Sequence, residues 1–191
     1  YLSDFKAYLF RRNIETLRRR WASLLPARES HGAAVRAARR ATAHVLVIDD
    51  RLPDATLGSG FGRMAELCRD VHGSHCSLSF YPVCGYEGAD EVGDFGVEVI
   101  DGPLVAWLDD PATHLDAVVI SRPHNWEAHA DEIRRRFPSA PLIYDAEALF
   151  HRRFAQLMNL TDDPVERATH LAQHEKIRSL ERGIAREADH V

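Results

Sequence analysis

Four short stretches of this chain carry residues able to bind a polar ligand or move a proton. They are Asp49-Asp50, the loop Gly58-Ser59-Gly60-Phe61-Gly62-Arg63, the segment Ser121-Arg122-Pro123-His124, and Asp145-Ala146-Glu147. Glycines ahead of a helix leave backbone N–H groups bare at its N-terminus, where anions bind. Arginine forks onto phosphate or carboxylate. A histidine beside a buried strand either caps the next helix and orders its loop, or meets a hydroxyl-bearing ligand as a polar contact or general base. Asp145 has the same two readings, helix cap or site residue. The pair Asp49-Asp50 stays open between holding a ligand and ordering the loop that follows.

Three of these stretches close apolar runs. Val45-Leu46-Val47-Ile48, the run DAVVIS over residues 116–121 and the run PLIY over 141–144 read as strands buried on both faces. Helical patterns lie between them, over 58–72, 126–137, 146–159 and 163–188. The last has Asp163-Pro164-Val165-Glu166 as its start signal and Leu171, Ile177, Leu180 and Ile184 as its inner stripe. Residues 76–81 and 96–100 add two more strands, 103–108 a helical turn, and His190-Val191 the first step of another strand. Strand alternating with helix predicts an α/β domain, Rossmann-like and doubly wound, with a mainly parallel sheet. Ligands of such sheets sit outside the carboxyl ends of the strands. The polar stretches named above fall at those ends together.

Several sharper motifs fail on inspection. The glycine loop has Arg63 where a dinucleotide fingerprint has its third glycine, and the second strand ends in Tyr81-Pro82 without a ribose-binding acid. A phosphorylated receiver would use Asp49-Asp50 for Mg²⁺, but needs an acceptor Asp and a strand-end Lys. Here the central strand ends in Ser121, and the only lysines are Lys6 and Lys176. His170 and His174 have a chelating spacing without the intervening Glu of a metalloprotease helix, and read as a solvated face.

With 45% hydrophobic and 28% charged residues, the 191-residue chain matches a globular domain plus an appendage. No apolar run approaches the roughly 20 residues of a membrane span. Three cysteines without CxxC spacing point to a reducing, cytoplasmic compartment. The chain starts at Tyr1 and ends at Val191, and reads as a piece of a longer protein. Its charge is uneven. Residues 1–42 hold ten Lys/Arg against three acids, so this segment carries +7 of a chain whose total is -5, and residues 43–191 carry -12. Residues 1–43 read as a basic helical leader or linker, with helices over 3–24 and 32–42. A helix docked on the acidic body is one explanation, and peripheral contact with anionic lipid is the other. No aromatic residues are interleaved as in single-strand binders, so nucleic acid is not an expected partner.

The segments VLVIDDRLPDATLGSGFGRM, GVEVI, DAVVISRPHN, PLIYDAEALFHRR and EADHV, in that order, resemble the N-terminal half of group 1 glycosyltransferases of the GT-B fold. The likeness is greatest to bacterial enzymes that assemble cell-surface polysaccharide. It covers residues 44–191. The resemblance implies two Rossmann-like domains facing a cleft. The N-terminal one is the acceptor side, and a C-terminal one, absent from this sequence, holds the nucleotide-sugar with an acidic pair. It implies that Gly58, Ser59 and Gly60 approach the donor diphosphate through backbone N–H groups, with Arg63 as charge partner. It makes His124 and Asp145 the catalytic candidates and adds Glu147 to the substrate-binding set, which Arg122 joins by its place at a strand end beside His124. No metal and no cofactor beyond the nucleotide-sugar co-substrate is expected. The partners would be that donor and a saccharide or lipid-linked acceptor. The 191 residues by themselves would fold but not transfer sugar. The alternative is a non-catalytic α/β module such as a degenerate receiver.

Overall fold

Aliphatic and β-branched runs bounded by turn residues form five strands. These are β1 (His44–Asp49), β2 (Ser77–Pro82), β3 (Glu98–Val99), β4 (Ala117–Ser121) and β5 (Leu142–Asp145). The computed structural model describes residues 43–54, 59–74, 76–85, 97–146 and 148–191, all within one compact unit, Arg39–Val191. The basic leader expected over 1–43 lies, but for its last residue, outside the described residues. All five strands are parallel, in the order β3-β2-β1-β4-β5. The expected α/β class and parallel sheet are therefore present. The order differs from the 2-1-3-4-5 order of a receiver. Beside β5, His190 pairs with Ile143 as a parallel bridge, and the Tyr144 amide donates to the His190 carbonyl at 2.9 Å. The strand step expected at His190 is thus realised as one bridge.

Side chains alternate across each strand, and the two faces bury different helices. Val47, Leu78, Phe80 and Val119 pack on Met64 and Cys68 of α1 (Ser59–Gly73). Leu46, Ile48, Val118, Ile120, Leu142 and Tyr144 face the other way. There they meet α2 (Leu104–Leu108), α3 (Pro123–Arg136) and, through Ile184, α5 (Pro164–Glu187). Helices on both faces of a parallel sheet are what double winding means. The helix α4 (Phe150–Leu160) has no buried residue and pairs with α5. None of the described helices is long and apolar enough to cross a membrane.

Three expectations need correction. Helix α3 begins at Pro123, not at 126, because proline's fixed φ suits the first helical position. His124 and Asn125 are therefore first-turn residues rather than loop. Helix α4 begins at Phe150, not at 146, so Asp145 does not cap it. Leu171 is 47% exposed and leaves the inner stripe of α5, which Ile184 anchors. The core face of α5 engages the sheet only toward its C-terminal end; its N-terminal half reaches α4 instead.

Candidate functional site

At the crevice where the strand order reverses, between β1 and β4, the chain assembles a charged cluster. The sequence puts Asp49 at the last position of β1 and Ser121 at the last position of β4, in neighbouring strands. Arg122 follows with φ 74° and ψ 144°, the one non-glycine positive φ among the described residues. Such backbone costs on the order of 1–3 kcal/mol and persists only where the surroundings over-determine it. They do so here. Arg122 Nε donates to Asp49 Oδ1 at 2.6 Å and lies 3.2 Å from Asp50 Oδ2. The guanidinium carbon stands 5.2 Å from the centroid of the Phe61 ring in the first turn of α1.

Asp49 is 2% exposed. Burial pushes its carboxyl above the ordinary carboxylate range. The Arg122 guanidinium and the Asp50 amide, which donates to Asp49 Oδ1 at 2.7 Å, pull back part of that shift. The backbone is tied down as well. The Val83 and Cys84 amides donate to the Asp49 and Asp50 carbonyls at 2.9 and 2.8 Å.

Asp50 reaches across to α3. Its Oδ1 lies 2.7 Å from His124 Nε2 and accepts from Asn125 Nδ2 at 3.0 Å. Asn125 Nδ2 also donates to the Ser121 carbonyl at 3.0 Å, and Asn125 is 1% exposed. The His124 side chain is 57% exposed. A second group adjoins these at the end of β5. Ser121 Oγ donates to Asp145 Oδ2 at 2.7 Å, and the Arg63 guanidinium pairs with Asp145 Oδ1. Ser59 and Gly60 open α1, and Phe61, Gly62 and Arg63 follow inside it, so the described part of the expected glycine loop is the helix's own first turns. Gly58 and Glu147 lie outside the described residues.

The structure therefore brings together Arg63, Arg122, His124 and Asp145 of the expected set, and changes what each one does. Arg122 is a buried partner of two carboxylates. Arg63 is paired to Asp145. Asp49 and Asp50, whose part was open, hold Arg122 and His124 in place. Asn125 was missed by sequence reasoning; its one available signal was position, the third residue of a helix opened by Pro123. Cys68 lies against the cluster's floor in α1. Burial above all, with the Asp49 charge adding to it, pushes its thiol up to about 12, which removes it as a nucleophile.

Away from the crevice, His174 Nδ1 is 2.7 Å from the His151 carbonyl and His170 leans on Phe154, so the two histidines do not face one ligand. Among the described residues no group of three or more His, Cys, Asp or Glu could hold a metal ion. Compared with protein-family models, curated proteins and solved structures, the chain shows no match to any of them.

Proposed function

We propose that this chain is the acceptor-side domain of a glycosyltransferase, moving a sugar from a nucleotide-sugar to a saccharide or lipid-linked acceptor. One observation carries the reading. The polar ends of the segments VLVIDD, SRPHN and PLIYD meet at a single point, the switch point of a parallel sheet, where ligands of α/β domains bind. His124, 57% exposed, is the most exposed member of that cluster and would face the acceptor. Ser59 and Gly60, at the start of α1, would face the donor diphosphate. The reading keeps the protein in the cytoplasm, at the inner face of the membrane when the acceptor is lipid-linked.

The donor needs more than this half offers. Stabilising a departing diphosphate takes preorganised positive charge. The arginines of the described site, Arg63 and Arg122, are already paired with carboxylates. The 191-residue chain incubated with nucleotide-sugars and acceptors is expected to release no nucleoside diphosphate. Titration with uridine and guanosine diphosphates and with methyl glycosides, followed by residue-resolved NMR, tests the site. Shifts should concentrate at Ser59, Gly60, residues 122–125 and Asp145. Robust turnover by this chain, or shifts confined to other surfaces, would sink the proposal.

A further inference from the structure

We propose that Asp50 is a positioning residue for His124, holding the imidazole as its Nε2–H tautomer and leaving a bare Nδ1 to accept a hydrogen bond from a ligand hydroxyl. The hydroxyl-bearing ligand class rests on the acceptor-side reading above; the tautomer does not. Asp50 Oδ1 already accepts from Asn125 Nδ2 at 3.0 Å, and Oδ2 lies 3.2 Å from Arg122 Nε. An ionised carboxylate that accepts from an amide at one oxygen and faces a guanidinium with the other has only lone pairs to offer. The imidazole 2.7 Å away must then be the donor, through Nε2–H. A neutral ring with its proton on Nε2 carries a lone pair on Nδ1. That atom has no partner among the described residues, on a side chain that is 57% exposed.

The support beneath the pair is rigid. Asn125 is tied both to Asp50 and to the Ser121 carbonyl. Pro123 fixes the first turn of α3, and the Cys84 amide holds the Asp50 carbonyl. The charge around the pair selects the ligand. Two carboxylates and one guanidinium leave the cluster net negative, so a bare nitrogen beside it repels a phosphate oxygen and takes a hydroxyl hydrogen. This sets the acceptor subsite apart from any diphosphate subsite at the start of α1.

Histidine ring ¹⁵N spectra of the whole chain above the imidazole titration test the proposal directly. In the unsubstituted chain, His124 Nε2 should read as fully protonated and Nδ1 as fully bare. In Asp50→Ala the two signals should move toward each other, to the averaged positions of a freely exchanging ring. Asp49 still neutralises Arg122 in this variant, and unshifted methyl signals of Val47 and Ile120 would show that the sheet is intact. A bare Nε2, or averaged nitrogens in the unsubstituted chain, overturns the proposal without any variant. So does an Asp50→Ala ring whose nitrogens do not move. Adding a methyl glycoside then separates the two claims. A shift of His124 Nδ1 that Asp50→Ala diminishes supports both. A fixed tautomer with no glycoside shift keeps Asp50 as the positioning residue and removes the saccharide reading.

Discussion

A carboxylate 2% exposed beneath one guanidinium tolerates the loss of neither. Replacing Arg122 by methionine would keep an unbranched side chain of similar length, remove the guanidinium from Phe61 and strand the Asp49 charge. Removing one partner of a buried pair costs about 3–5 kcal/mol, because the other charge stays desolvated. Urea unfolding of Arg122→Met is expected to show a loss of that order. Asp49→Asn added to it should recover part, since a neutral amide needs no counter-ion. An unchanged midpoint in the single variant would mean that the pair is not the clamp described. The sequence marks the arginine as a site residue and leaves the part of the two carboxylates open; that they serve each other is not readable from it. Arg122's positive φ has no local signature. The proline after it disfavours only the helical region. What selects the strained alternative is Asp49 and Asp50, more than seventy positions upstream. Asn125 was hidden for a related reason, since its use depends on α3 starting at Pro123.

The helical hairpin of α4 and α5 shows the same division at the next scale. The start of α5 was readable because its signals are local. Asp163 Oδ1 accepts from the Val165 amide at 2.8 Å, with Pro164 at the first position. The start of α4 was not. Its capping residue, Leu149, contributes no side-chain bond. The carboxylate that satisfies the first turn comes instead from Glu181, thirty-one residues later. Glu181 Oε1 accepts from the Phe150 amide at 2.6 Å, and Oε2 pairs with the His151 ring. His174 adds a bond to the His151 carbonyl. With no buried residue of its own, α4 depends on these bonds more than a core helix would. Glu181→Ala leaves the Phe150 amide without its acceptor, at a cost of about 1–3 kcal/mol where water cannot replace it. Amide hydrogen exchange should therefore accelerate through α4, while the amides of β1 and β4 keep their protection. Uniform acceleration across the molecule would show that α4 does not open as a separate unit.

At the scale of the molecule, uninterrupted apolar runs made the sheet legible. Alternate residues of β1, β4 and β5 were apolar on both faces, which only a sheet covered on both sides requires. The packing between the layers was not legible, and it includes polar groups that hydrophobic pattern cannot place. His129 of α3 is one. Its ring meets Tyr81 of β2 edge-on at 5.7 Å, and its Nε2 is buried without a partner. Burial penalises the charged ring and lowers its pKa from 6.5. The folded state thus binds fewer protons than the unfolded chain between that lowered value and 6.5. Stability must rise with pH across this window, be fully present above it, and drain away as pH falls through it. Asp49 acts in the opposite sense, because its raised pKa makes the folded state the better proton binder at acidic pH. A raw stability profile mixes the two. The difference between the unsubstituted chain and His129→Leu isolates the histidine, since Asp49 is common to both. Denaturant midpoints from pH 7.5 down to 5 should fall more steeply in the unsubstituted chain, with the two profiles parallel above pH 7. Profiles that stay parallel below 6.5 would mean that the ring is solvated enough to charge in place, and that the α3–β2 packing is looser than the edge-on contact with Tyr81 requires.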